Sequence, residues 1–151
     1  LIPYRNPIQH AYSLLSQHKR FIEDSKKDKF ISNYMKWIGH TEFGPNYIPI
    51  HSKNLKFEND LDVNHWIEQW YLSYHNCLES LKDKDNVHFI CYEQLCSSKD
   101  YWLDILKISD IKETYDFEFK ESKKNVPLEI ENSIGNKASS LYSELSSITL
   151  R

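Results

Sequence analysis

An arginine and a serine near the start of the chain have the types and the spacing of an anion site. Arg5 and Ser13 stand eight residues apart. Between them, Asn6 is a good helix N-cap and Pro7 suits the first helical position. Arg5 then lies beside free amides and the positive end of a helix dipole, and Ser13 lies about 9 Å further along the axis. A forked guanidinium with these donors suits a phosphate, whereas the plain alternative is an ordinary helix start with a solvated serine.

A tyrosine and a glutamate follow a second apolar run. Residues 87–91 are short, apolar and rich in β-branched and aromatic types, which predicts a buried parallel strand. Tyr92 and Glu93 come directly after it. Ligands of open α/β sheets lie beyond the carboxyl ends of strands, and Arg5 also follows a strand-like run, so we expect Arg5 and Tyr92 to share a site. Glu93 is expected to fix the loop through backbone amides or a basic neighbour rather than to perform chemistry.

Both stretches resemble segments of sulfotransferases that use 3′-phosphoadenosine 5′-phosphosulfate. Residues 1–15 resemble the segment in which an arginine and a serine at this spacing hold the 3′-phosphate of the donor. Residues 92–95, Tyr-Glu-Gln-Leu, resemble a Tyr-Glu-Asp-Leu motif that follows a strand in this family. The resemblance implies that Arg5 and Ser13 bind the 3′-phosphate and that Tyr92 contacts adenine. It covers nearly the whole chain at low stringency and is weak in the last third.

The resemblance also implies a fold and an activity. The fold would be α/β, the helix-rich part of a P-loop-like parallel-sheet sulfotransferase fold. The enzyme would transfer a sulfuryl group to a hydroxyl or amine on a small-molecule, glycan or peptide acceptor. Gln94 departs from the motif, because relatives carry an acid there.

A larger departure concerns glycine. The chain has only three glycines, too few for the loop that binds the 5′-phosphosulfate in the family. Because the chain also begins without Met, inside a strand-like run, we expect it to be the C-terminal portion of a sulfotransferase domain. It would be inactive alone, with the catalytic base upstream, so no catalytic residue is assigned.

A second basic segment has weaker support as part of the donor site. Lys123 and Lys124 stand where many family members place a loop against the donor phosphate. The arginine- and glycine-containing signature of that loop is missing, and solvated lysines are the simpler interpretation.

Composition limits the classes of partner. A chain of 151 residues, 40% hydrophobic and 27% charged, can bury one core, so residues 1–151 are expected to form a single domain. A net charge of −3 at pH 7 gives no overall basic field for nucleic acid or an anionic membrane. No apolar run reaches the roughly 20 residues that span a bilayer. We expect a cytoplasmic protein, although the way the chain begins leaves its targeting open. The sequence also leaves the oligomeric state open.

Cysteine and histidine usage argues against disulfides and metals. Three cysteines without CxxC spacing fit a reducing compartment. Seven histidines are scattered, without an HExxH motif or a His–Cys cluster, so no metal is expected. The sulfuryl donor is then the one co-substrate that the sequence indicates.

Helical periodicity predicts most of the elements that position these residues. One helix should run from Pro7 to about Glu23, and charged residues 24–29 should form an exposed joint before a second helix ended by Gly39. Further helices should follow the caps Asp62 and Ser98, with a short one from Ser109 or Asp110 and a last one after Pro127 that includes Ile130. The aromatic stripe that follows Asp62 indicates a core helix.

Residues 40–60 are expected to form a long loop, because Gly44, Pro45 and Pro49 break any helix. Loops of this length tend to be functional or mobile. Its His40 and Glu42 are candidates for an acid or a base, or simply for holding the loop in place. Two other classes stay open for the whole chain. One is a non-catalytic helical interaction module, and the other is a P-loop nucleotide kinase whose lysine-bearing loop lies upstream.

Overall fold

The computed structural model describes residues 1–112, 119–120 and 129–149. In chain order the elements are β1 (Ile2–Tyr4), α1 (Pro7–Lys27), α2 (Lys29–Trp37), a short 3-10 turn (Gly44–Asn46), α3 (Val63–Leu81), β2 (Phe89–Cys91), α4 (Tyr92–Ser97), α5 (Lys99–Ile108) and α6 (Asn132–Ile148). The predicted α/β class is confirmed at this level, as a helix-rich structure with a small parallel sheet.

The two strands are far apart in sequence and adjacent in space. β1 and β2 pair in parallel, with Ile2 opposite Phe89 and Tyr4 opposite Cys91. The predicted parallel strand is confirmed, although it is shorter than residues 87–91. Because both strands run in the same direction, the residues that follow them emerge side by side at one edge of the sheet.

The core lies where α1 and α6 pack on α3. Ile67 on α3 and Leu145 on α6 are completely buried. Ala11 and Ala138 are also fully buried, and small side chains at those positions let helix backbones approach closely. The aromatic stripe of α3 belongs to this core, as expected, through Trp66 and Trp70.

The start of α1 follows the predicted capping chemistry. Asn6 Oδ1 accepts from the amides of Ile8 and Gln9, both at 3.1 Å. The helix continues past Glu23 to Lys27, so the predicted joint over residues 24–29 was too wide. Asp28 alone separates the helices, because its own N–H extends α1 while its carboxylate caps α2.

The other predicted caps are confirmed, and one predicted helix is wrong. Asp62 accepts from the amide of Asn64 at 2.9 Å, and Ser98 accepts from Tyr101 at 3.2 Å. Asp110 does not start a helix. Its φ of 52° is left-handed, and the amides of Asp110 and Ile111 donate back to the last turn, which ends α5 in a Schellman motif.

The last helix begins later than its periodicity predicted. Glu131 is its N-cap, so Ile130 lies before the helix rather than on it. Ile130 instead packs over Gly135, where an added Cβ would lie 3.1 Å from Ile130 Cγ2. The absence of a side chain at Gly135 therefore permits this close contact. Lys123 and Lys124 lie outside the described residues. Over the ranges given above, no helix is both long enough and apolar enough to cross a membrane.

Candidate functional site

Arg5 and Tyr92 meet at the carboxyl edge of the sheet. Arg5 follows β1, and Tyr92 opens α4 directly after β2. The guanidinium carbon of Arg5 lies 5.0 Å from the centroid of the Tyr92 ring, which is cation–π distance. Parallel pairing thus brings two of the three predicted site residues into contact.

Glu93 ties this edge to two helices. Its Oε1 accepts from the amide of Asn6 at 2.9 Å, which fixes the junction of β1 and α1. Its Oε2 accepts from the hydroxyl of Tyr142 on α6 at 3.1 Å. Glu93 was expected to bond backbone amides or a basic neighbour, and its bond to the amide of Asn6 is of the first kind. Burial, with Glu93 and Cys91 nearby, raises the pKa of the Tyr142 hydroxyl, which therefore stays a donor.

His10 belongs to the same cluster, although the sequence did not single it out. Its Nδ1 is buried and has no hydrogen-bond partner within the described part of the chain. Burial lowers the pKa of His10, the charge of Arg5 lowers it further, and Glu93 opposes both. The imidazole is therefore neutral near pH 7, and one ring nitrogen can accept a hydrogen bond. We call Arg5, His10, Tyr92 and Glu93 the strand-end cluster.

Ser13 is placed differently from the other two predicted residues. Its hydroxyl donates to the carbonyl of Gln9 at 2.9 Å, a bond within α1. To donate to a phosphate, the hydroxyl would have to leave that carbonyl. Ser13 therefore lies on α1 with His10, and its side chain is bonded to the backbone of that helix.

The first amides of α1 are also less free than the sequence indicated. Asn6 Oδ1 takes the amides of Ile8 and Gln9, and Glu93 takes the amide of Asn6. The expectation of free amides beside Arg5 is corrected at these three positions. Binding of an anion here would depend chiefly on the guanidinium of Arg5 and on the helix dipole.

Tyr92 is engaged through both its ring and its hydroxyl. The ring lies under Arg5, and the hydroxyl donates to the carbonyl of Lys120 at 3.0 Å. A side-chain hydrogen bond with Cys96 raises the pKa of Tyr92, with a smaller contribution from burial. The phenol therefore stays protonated and acts as an apolar wall with a donor at its end.

His40 and Glu42 serve the loop in which they lie. The two side chains are in direct contact, and Glu42 Oε2 also accepts from the amide of Thr41 at 3.0 Å. Hydrogen bonding by its own backbone amide lowers the pKa of Glu42, and His40 lowers it further. These contacts support the loop-holding interpretation of the pair.

A row of polar residues on α3, which the sequence did not reveal, holds the same long loop. The carboxylate of Glu68 accepts from the amides of Lys56 at 3.0 Å and Phe57 at 2.9 Å. The amide group of Gln69 exchanges two hydrogen bonds with the backbone of His51. His65 bonds the carbonyl of Phe57 through Nδ1 at 2.7 Å and Tyr47 through Nε2 at 2.9 Å. We call His65, Glu68 and Gln69 the loop clamp.

His18 on α1 also bonds the long loop, in addition to the loop clamp on α3. It is fully buried, and its Nδ1 accepts from the amide of Gly44 at 3.1 Å. Burial lowers the pKa of His18, and Asp60 opposes the shift. Gly44 has a φ of 81°, and an added Cβ would lie 3.1 Å from Phe21 Cβ, so glycine suits the approach. A neutral histidine and a glycine thus fix the turn.

The residues described above include no candidate metal site. Across residues 1–112, 119–120 and 129–149, no three His, Cys, Asp or Glu side chains come together as a candidate metal site. The two clusters are built from hydrogen bonds and one cation–π contact.

Comparisons of the chain with protein-family models, with curated proteins and with solved structures found no match. The chemistry of the strand-end cluster and the resemblance of its motifs are therefore what a functional proposal has to rest on.

Proposed function

We propose that this chain is the donor-binding part of a sulfotransferase. It binds the 3′-phosphate and the adenine of 3′-phosphoadenosine 5′-phosphosulfate, and the whole enzyme transfers the sulfuryl group to a hydroxyl or amine acceptor. The observation that carries the proposal is the contact between Arg5 and Tyr92 at the carboxyl edge of a parallel strand pair, 5.0 Å from guanidinium carbon to ring centroid.

The proposal gives each residue a physical role. Arg5 supplies a charge and a forked donor for the 3′-phosphate beside the positive end of α1. Tyr92 supplies a flat apolar wall for adenine next to that charge. Ser13 donates to the same phosphate after its hydroxyl turns away from Gln9, so its contribution is the smaller one.

The proposal is confined to donor binding and to the corresponding part of a sulfotransferase fold. Three glycines cannot form the loop that grips the 5′-phosphosulfate, so this chain is assigned no part in sulfuryl transfer itself.

Calorimetric titration with two nucleotides tests the proposal. Adenosine 3′,5′-bisphosphate should bind about tenfold or more tightly than adenosine 5′-phosphate, because a charge-assisted bond to the extra phosphate is worth roughly 1.5–3 kcal/mol. Equal affinities for the two nucleotides would reject recognition of the 3′-phosphate.

A non-catalytic interaction module is a second candidate, favoured by one feature of α2. This helix exposes a row of large apolar side chains, with Trp37 74% and Phe30 62% exposed. Pairing of two copies of the chain through this row would cover them. Absence of binding to both nucleotides, together with self-association that Trp37→Asp abolishes in sedimentation velocity, would favour this candidate over the first.

A further inference from the structure

Helix α2 exposes large apolar side chains along one face. Phe30, Tyr34 and Trp37 are 62%, 48% and 74% exposed, and Ile38, directly after the helix, is 55% exposed. Their positions follow one another at helical spacing, so they share a face. Met35 on the same helix is buried, and α2 packs on α1. We call the four exposed residues the α2 row, and the fold presents this row to solvent.

The types of residue in the α2 row suit a membrane–water interface. Tyrosine and tryptophan combine an apolar ring with one polar group, and both are enriched at the level of the lipid headgroups. The rings of Phe30 and Tyr34 stack with their centroids 5.9 Å apart, so part of the apolar surface is formed in advance. A helix with aromatic residues on one face and lysines on its polar face is typical of segments that lie in the plane of a membrane surface.

Exposed lysines flank the α2 row along the chain. Lys26 and Lys27 are in the last turn of α1, Lys29 opens α2, and Lys36 is in the last turn of α2. Residues 19–38 contain six Lys or Arg and three Asp or Glu, a net charge of +3, whereas the whole chain has −3. The overall charge therefore conceals a local basic segment, which anionic lipid headgroups would attract.

Charge and area favour a lipid surface over a second copy of the chain. Lys29 lies at one end of α2 and Lys36 at the other, so parallel and antiparallel pairing of two α2 helices would both bring like charges together. The exposed parts of the four side chains amount to roughly 500 Å², below the ~800 Å² that each partner of a stable interface buries. A lipid surface imposes neither limit, because it accepts lysines and single inserted side chains.

We propose that α2 binds this protein to the surface of an anionic membrane. Phe30, Tyr34 and Trp37 enter the headgroup region, and Lys29 and Lys36 contact the anionic groups of the lipids. The helix lies in the plane of the surface and does not cross the bilayer. The inference goes beyond the proposed function, because it needs neither a nucleotide nor turnover.

Co-sedimentation of the full chain with vesicles tests the proposal. Vesicles of equimolar phosphatidylcholine and phosphatidylserine supply the anionic surface, and vesicles of phosphatidylcholine alone are the uncharged control. We expect stronger partition onto the mixed vesicles. Lys36→Gln should weaken that partition about fivefold, the contribution of one lysine near an anionic surface. Lys107→Gln, at an exposed position on α5, is the matched control and should leave the partition unchanged.

A second pair of variants tests the aromatic face. Trp37→Ala should weaken partition onto the mixed vesicles about tenfold or more, because a large ring no longer enters the headgroup region. Ile111 follows α5 and is 50% exposed, and Ile111→Ala should leave the partition unchanged. Both substitutions are at exposed positions, so both variants should fold.

Three vesicle results would overturn the proposal: no partition onto the mixed vesicles, equal partition onto the two kinds of vesicle, or partition that Trp37→Ala leaves unchanged. Self-association of the chain without vesicles, abolished by Trp37→Asp in sedimentation velocity, would also overturn it and would assign the α2 row to a second copy. The nucleotide titration is a separate measurement, so failure of vesicle binding leaves donor recognition to be judged on its own.

Discussion

The strand-end cluster and the loop clamp are both polar groups at the edge of one core, yet they are paired differently. In the loop clamp, Glu68 and Gln69 bond backbone groups of the long loop. In the strand-end cluster, Arg5 lies over the Tyr92 ring, and His10 keeps an unpaired buried nitrogen within the described residues. Polar side chains directed at backbone hold a fold together, whereas a cation beside a ring and an unpaired nitrogen suit a ligand.

The largest expected effect lies in the loop clamp. Glu68→Ala should lower the free energy of unfolding by about 2–4 kcal/mol, because two loop amides lose a buried charged acceptor. Urea unfolding monitored by tryptophan fluorescence measures the loss. Glu79→Ala, at an exposed position on the same helix, should change the value by less than about 0.5 kcal/mol. Similar losses for both variants would mean that Glu68 contributes no more to the free energy of unfolding than an exposed residue of the same helix.

The second prediction concerns pH and uses His10 of the strand-end cluster and His18, which bonds the long loop from α1. Burial lowers the pKa of both His10 and His18 in the folded state. Since the unfolded chain then binds more protons, stability is fully present above about pH 6.5 and is lost as pH falls toward the folded pKa values, by about 1.4 kcal/mol per unit of depression.

Urea unfolding at a series of pH values below 7 checks this sign. His18→Gln should make the dependence shallower, because the side chain can no longer take up a proton on unfolding. Stability that rises as the pH falls through this range would contradict the assigned shifts.

A smaller effect is expected for the tyrosine wall. Tyr92→Ala should weaken binding of adenosine 3′,5′-bisphosphate by about three- to tenfold, and Tyr92→Phe should weaken it less, because the ring is kept. Calorimetric titration compares the three proteins. Equal affinities for all three would remove Tyr92 from the nucleotide site and leave it as a support for Arg5.

The smallest effect is expected for Ser13. Its hydroxyl is bonded to Gln9, and a neutral hydroxyl contributes less than a guanidinium, so Ser13→Ala should weaken the same nucleotide by no more than about threefold. The same titration measures this change. A loss as large as that of an arginine variant would mean that Ser13 leaves its helix bond in the complex.

Local chemistry made much of the fold predictable. The caps at Asn6, Asp62 and Ser98 act within a few residues of themselves, and the structure has all three. The adjacency of Arg5 and Tyr92 was also predictable, since two strand-like runs in an α/β pattern favour parallel pairing. The helix expected from Ser109 or Asp110 failed because a left-handed residue can end one helix where a cap would start another.

Long-range pairing explains what the sequence did not reveal. The partners of Glu68 lie eleven and twelve residues away in a loop without periodicity, so the helical pattern of α3 showed only its apolar stripe. His10 looked like one of seven scattered histidines, and its burial depends on elements that reach it from elsewhere in the chain. The one indication in the sequence that His10 lies near the predicted site was its position one helical turn before Ser13.

The affinity of an Arg5 variant for two nucleotides tests the central claim most directly. Arg5→Ala should lose about tenfold or more in affinity for adenosine 3′,5′-bisphosphate and little for adenosine 5′-phosphate, and Arg5→Lys should recover part of the loss. Arg20→Ala is the matched control, because Arg20 is exposed and pairs with Asp24. A loss confined to the bisphosphate is the predicted result. An equal loss for both nucleotides, or none for either, would contradict a 3′-phosphate site at Arg5.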